Sequence, residues 1–113
     1  MNANELMIGN YVLENDNKIK QVTGILNDAV FTSSAGVQIV NPIPLTEEWL
    51  LKFGFKLFGK NTYYLGTVKI HKRKRGFVIA KRYADILHVH QLQNLYFALT
   101  QKELIYENRN KTS

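Results

Sequence analysis

Between Ile8 and Val40 the apolar residues come in short runs separated by clusters of turn formers, a pattern that predicts strands joined by tight turns. The runs are residues 8–13, 18–25, 29–32 and 37–40. The breakers are Asn15-Asp16-Asn17, Asn27-Asp28 and Ser33-Ser34-Ala35-Gly36. The β-branched content and the turn spacing favour a small curled meander of SH3-like kind, with an open sheet as the competing arrangement. Upstream, residues 2–7 read as a short helical lead-in with Glu5 near its start.

Asn41-Pro42-Ile43-Pro44-Leu45 cannot continue a central strand, because each proline lacks an amide donor and restricts the residue before it. A two-turn helix follows with both ends signalled: Thr46 as N-cap, Glu47 and Glu48 in the first turn, Trp49, Leu50 and Phe53 as the apolar stripe, Gly54 as a left-handed C-cap. A second meander is expected over 55–58, 63–70 and 77–80, with turns at 59–62 and 71–76, and residues 85–89 as an added short strand. From about His90 the positions Leu92, Leu95, Tyr96 and Leu99 recur at helical spacing, predicting a closing helix to about Thr100. Thr100 with Glu103 is the pattern of a cap for one more turn, through Leu104 to Tyr106. The predicted architecture is α+β: two small antiparallel meanders, each followed by a helix, packed as one domain over 1–106 with Trp49, Phe53, Leu92 and Leu99 buried. Residues 107–113 are a polar, frayed tail.

Composition narrows the class. The chain has 113 residues, 45% of them hydrophobic, which suits one domain with a core of its own. Cysteine is absent, so disulfide scaffolds, thiol nucleophiles, thiolate zinc sites and iron–sulfur clusters are excluded together. No apolar run approaches the roughly 18 residues of a membrane span, and the first residues lack a basic flank leading into an apolar core. A soluble protein of a reducing cytoplasm is expected, with no membrane partner.

The net charge of +6 is unevenly distributed. Lys69, Lys72, Arg73, Lys74, Arg75, Lys81 and Arg82 give one segment a charge of +7 without an acid, while the remainder holds 8 basic and 9 acidic residues. A local surplus on a near-neutral body is the footprint of an anion-binding surface. Around it stand Tyr63, Tyr64, Phe77 and Tyr83. Cations over a β-surface with aromatics nearby can hold phosphates and stack bases. Tyr63 and Tyr64, adjacent on a strand, must point to opposite faces, so at most one of them meets a ligand. The binding set read from the sequence is Lys69, His71, Lys72, Arg73, Lys74, Arg75, Lys81, Arg82 and Tyr83, against the plain alternative of a solvated hairpin tip.

Other constellations are weaker. Gly54-Phe55-Lys56-Leu57-Phe58-Gly59-Lys60-Asn61 has the glycine spacing and lysine of a phosphate-binding loop, but a helix precedes it, a strand fills it, and Asn61 stands where Ser or Thr is needed. It reads as a helix cap and a hairpin turn. His88 and His90 would share a face if extended, with His71 as a third ligand, yet only Asp85 is at a matching carboxylate spacing, and His90 fits a helix start better. Glu47 and Glu48 are explained by the helix dipole, Asp16 and Asp28 by turns, and Ser33 and Ser34 have no base nearby in sequence. No catalytic residues, metal or cofactor are expected.

Three motifs carry a family resemblance: Asn4-Glu5-Leu6-Met7-Ile8-Gly9-Asn10-Tyr11-Val12, Pro42-Ile43-Pro44-Leu45-Thr46-Glu47-Glu48-Trp49-Leu50-Leu51-Lys52-Phe53-Gly54-Phe55, and Val89-His90-Gln91-Leu92-Gln93-Asn94-Leu95-Tyr96-Phe97-Ala98-Leu99-Thr100. Together they resemble an uncharacterised family of small proteins encoded by phages, prophages and mobile elements of Bacteroidota. Relatives of that pattern carry glycine where this chain has Gln101, and the Lys72-Arg73-Lys74-Arg75 run departs from it, which implies a shared scaffold with a specialised basic loop. The resemblance implies a mobile-element protein acting in the bacterial host's cytoplasm and assigns it no activity; with no catalytic set in the chain, a non-enzymatic protein is expected. The partner expected is nucleic acid, RNA ahead of DNA, or a host nucleoprotein such as a CRISPR effector, with anti-CRISPR-like inhibition as the most concrete form. The alternatives are a general single-stranded RNA- or DNA-binding accessory protein and a structural adaptor.

Overall fold

The structure, a computed structural model, describes residues 5–74, 76–79 and 85–105. Its strands are β1 (Tyr11–Glu14), β2 (Ile19–Gln21), β3 (Gly24–Leu26), β4 (Ala29–Phe31), β5 (Val37–Gln38) and β6 (Val40–Asn41), then β7 (Lys56–Phe58), β8 (Thr62–Leu65), β9 (Val68–Lys72) and β10 (Phe77–Ile79). Helix α1 (Glu47–Lys52) lies between the two groups, and α2 (Val89–Thr100) follows the second. The strands form three antiparallel sheets, ordered β2-β1-β6, β3-β4-β5 and β10-β9-β8-β7, so the fold is α+β. Two compact units result: Met1–Pro44 with His88–Leu95, and Leu45–Leu87 with Tyr96–Ser113.

In the first unit, two expected strands each divide between two sheets. Val22 donates its amide to Asn10 on the β1 side, and Thr23 donates to Phe31 on the β4 side, both at 2.8 Å. The chain therefore changes partner between adjacent residues, turning 18–25 into β2 and β3. Residues 37–40 divide in the same way at Ile39, and β6 returns to pair with β1. Bending buries one side: Leu6, Val12, Val22, Val30 and Val40 form the core, with Ile25 packed against it. Asn17 (φ 64°) and Asn27 (φ 55°) make the left-handed turns that asparagine tolerates best among residues bearing a side chain. The first strand begins at Tyr11 rather than Ile8, because residues 7–10 form a turn in which Asn10 donates to Met7 and Gly9 has φ 97°.

That turn is held by α2. Gln93 accepts from the Tyr11 amide at 2.8 Å through Oε1 and donates to the Gly9 carbonyl at 3.1 Å through Nε2. Asn94 accepts from Asn10 Nδ2 at 2.8 Å and donates to the Glu5 carbonyl at 3.0 Å. Asn10 Oδ1 in turn accepts from the Met7 amide at 2.7 Å. Asn10 and Gln93 are buried, so these bonds replace water that the groups have lost.

In the second unit, Thr46 caps α1 by accepting from the Trp49 amide, and Gly54 follows the helix at φ 98°. Trp49 and Phe53 are buried, with ring centroids 5.5 Å apart. The expected strand over 63–70 folds back on itself at Gly66 (φ 61°) and Thr67, so the second meander has four strands. Residues 85–89 do not add another: Ile86 makes an isolated bridge to Phe77, and His88 one to Pro44 within the first unit. A Cβ on Gly76 would lie 2.8 Å from the Ile86 carbonyl oxygen and 2.9 Å from Leu87 Cδ2, so the close approach of this segment requires glycine there.

The closing helix opens at His88, whose amide donates to Gln91 Oε1 at 3.0 Å, half of a capping box. It closes at Thr100, whose hydroxyl donates to the Tyr96 carbonyl and accepts from the Lys102 amide, while Gln101 takes φ 64°. Thr100 thus ends this helix instead of starting another, and residues 101–105 are not helical. The expectation that Leu99 is buried is also corrected. Leu92 and Tyr96 are buried but Leu99, on nearly the same side as Leu92 and one residue from the end of α2, is 55% exposed: the helix face stays covered through Tyr96 and is uncovered in the last turn.

Candidate nucleic-acid interface

β9 alternates strictly: Val68 and Ile70 are buried, Lys69 is exposed and His71 half-buried. Period-two geometry puts Lys72 on the side of Val68 and Ile70, and Lys69 with His71 on the other. The basic segment is therefore divided between two faces.

On the inner side, Lys72 Nζ lies 2.9 Å from Glu47 Oε1, and the Tyr63 hydroxyl donates to Glu47 Oε2. Those two hydrogen bonds, Tyr63 first, and the lysine charge hold the Glu47 carboxyl below its usual range. Burial, reinforced by the neighbouring carboxylate, pushes the Tyr63 phenol up to about 12. Tyr63 is 1% exposed and meets Phe77 edge-on at 6.3 Å. The sequence set includes Lys72 as a binding cation; the structure gives it an acidic partner. Glu47 acts beyond the helix dipole, and its partners, 16 and 25 residues away, leave no local signal.

The outer side of the sheet is set by register. Lys56, Tyr64 and Lys69 are paired in one row across β7, β8 and β9, and Phe58, Thr62 and His71 in the next. Tyr64 is 37% exposed and Phe58 70% exposed. A shallow depression of about 260 Å³ is lined by Phe58, Thr62, Tyr64 and Lys69. At its edge Thr62 Oγ1 and His71 Nδ1 are hydrogen-bonded at 3.1 Å. The sequence reading missed Lys56 and Phe58. The alternation within Lys56-Leu57-Phe58 was the available signal, but its register against Tyr64 was not.

Arg73 and Lys74 lie in the β9–β10 turn, where the Arg73 amide donates to the Gly76 carbonyl at 2.7 Å, and both side chains are exposed. Among the described residues, no acid forms an ion pair with Lys69, Arg73 or Lys74. Arg75, Lys81, Arg82 and Tyr83 lie outside the described residues.

The remaining candidates occupy structural positions. Gly54 ends α1 and Gly59 (φ 76°) turns β7 into β8, so residues 54–61 do not form a phosphate cradle. His90 is 1% exposed in the first turn of α2, with Nε2 3.3 Å from Glu5 Oε1 and its ring stacked on His88 at 5.8 Å. Burial holds its pKa below the ordinary histidine range, against the pull of Glu5. No group of three or more metal-ligating side chains occurs among the described residues. Ser34, expected to have no base nearby, donates to Glu14 Oε1 at 2.9 Å, and Thr32 donates to Oε2, which satisfies a buried carboxylate and ties its loop to β1.

No protein-family model, curated protein or solved structure matches the chain. Among the described residues, no helix is long and apolar enough to cross a membrane.

Proposed function

We propose that this is a non-enzymatic, cytoplasmic protein of a phage or mobile element that binds nucleic acid, RNA ahead of DNA, through the β9–β10 hairpin and the adjoining outer face of its sheet. The observation that supports the reading is the set Lys69, Arg73 and Lys74, exposed and without an acidic partner among the described residues, in a segment that holds the whole charge surplus. Such a cluster gains affinity by releasing counterions from a phosphate backbone, so binding falls steeply with salt. An anti-CRISPR-like inhibitor, occupying the nucleic acid of a host RNA-guided nuclease, is the nucleoprotein form of the same proposal. We read the first unit, with β1 paired on both sides and two bent strands shared between sheets, as an SH3-like support.

The test is affinity for a mixed-sequence RNA, measured by anisotropy at two salt concentrations. Alanine at Lys69, Arg73 and Lys74 is expected to weaken binding sharply and flatten the salt dependence by about one counterion per lost contact. Lys72→Ala should do less, since Glu47 already holds that ammonium. Equal affinity for wild type and the triple variant would leave the solvated-tip reading standing.

A further inference from the structure

The outer face of β7-β8-β9 carries more than charge. Sheet faces that meet water are ordinarily polar, and single exposed apolar residues are common enough to need no account. Here two aromatic rings occupy neighbouring rows of one face, with lysines beside them. Tyr64 is flanked in its row by Lys56 and Lys69. Phe58 sits diagonally across the β7–β8 ladder from Tyr64, a separation of about 7–8 Å. Behind them, Tyr63 and Ile70 point the other way and are buried at 1% and 0% exposure, so the platform's backing is fixed while its front is open.

The geometry points to a stacking platform for two successive unpaired bases of a single strand, one on Phe58 and one on Tyr64, with Lys56 and Lys69 on the phosphates between and beside them. This deepens the nucleic-acid reading above and rests on it. An aromatic ring takes the π-face of any base, so the platform tolerates sequence. A duplex keeps those faces stacked inside itself and cannot offer them, so the platform separates single strands from duplexes where the cationic hairpin alone would not. The depression bounded by Phe58, Thr62, Tyr64 and Lys69 supplies polar edge contacts from Thr62, whose hydroxyl is steadied by His71.

The experiment uses one mixed-sequence 12-nucleotide RNA, presented as a single strand and as a duplex, with wild type, Phe58→Ala, Tyr64→Ala and Tyr64→Phe. Both aromatic positions are exposed, and matching thermal melts confirm that each variant is folded. Single-strand binding is expected to exceed duplex binding by about tenfold or more, and each alanine to weaken it about tenfold or more. The salt slope should stay unchanged, and Tyr64→Phe should keep wild-type affinity. Equal binding of strand and duplex, with alanine variants equal to wild type, overturns the platform and leaves the electrostatic reading in place. Binding of neither form at low salt overturns both.

Discussion

The junction of the 5–11 segment with α2 and the outer face of the four-stranded sheet are both rich in polar side chains, and they use them oppositely. Around Gln93 and Asn94, four hydrogen bonds join these two side chains to groups of the 5–11 segment, and Asn10 adds another within it. On the sheet face, Lys56, Lys69, Phe58 and Tyr64 stand in register with room around them. The long motifs near the start and the end of the chain therefore belong to the scaffold. On the sheet face the exposed side chains are left to the solvent.

The contrast can be broken first at Gln93. Gln93→Ala leaves the Tyr11 amide and the Gly9 carbonyl without their partner, and stability should fall by about 3 kcal/mol in urea denaturation. Phe58→Ala should cost at most about 0.5 kcal/mol by the same measurement. A reversed order would make the sheet face structural.

The inner face of the same sheet is next. Tyr63 has its pKa raised, from 10 when unfolded to about 12 when folded, so its contribution is complete below pH 10 and is lost as pH rises through 12. The loss is at most about 2.7 kcal/mol. Urea midpoints of wild type and Tyr63→Phe should differ at pH 8 and draw together as pH rises from 10 to 12; parallel curves would show that burial does not govern this phenol.

Gly76→Ala sharpens the distinction between the hairpin's base and its tip. The added methyl would lie too close to the Ile86 carbonyl and should cost about 2 kcal/mol, whereas Arg73→Ala with Lys74→Ala should change stability by no more than about 0.5 kcal/mol. If both variants melt alike, the base is as plastic as the tip. The one effect of opposite sign is at Gln101. Its φ of 64° is a glycine conformation, so Gln101→Gly should raise stability by about 0.5–1 kcal/mol in the same assay. A lower midpoint would mean that the glutamine side chain compensates for its backbone.

Much of this was readable in sequence where the cause is local. Thr46 and Gly54 bracket α1, and Asn17 and Asn27 mark their turns, because caps and turns are decided within a few residues. Binary patterning failed where a distant partner decides. Val22 and Thr23 look like neighbours on one strand, yet they bond to different strands. Gln93 looks like a surface residue of an amphipathic helix, yet it is buried because the 5–11 segment supplies its hydrogen bonds. Of the candidate site, the cationic hairpin was legible. The neutralisation of Lys72 by Glu47 and the alignment of Phe58 with Tyr64 depend on register, which no local run of residues specifies.

The bonds made by Gln93 and Asn94 also set an order in time. They join residues 82 to 89 positions apart, whereas the β7–β8, β8–β9 and β9–β10 ladders close over short turns. Local pairings form before distant ones, since the entropy of closing a loop must be met first. The 5–11 segment must therefore wait, during synthesis and refolding alike, for a helix that emerges about 80 residues later. Pulse-labelled hydrogen exchange during refolding should find the amides of β8 and β9 protected before that of Tyr11. Simultaneous protection would mean that the two units fold as one step.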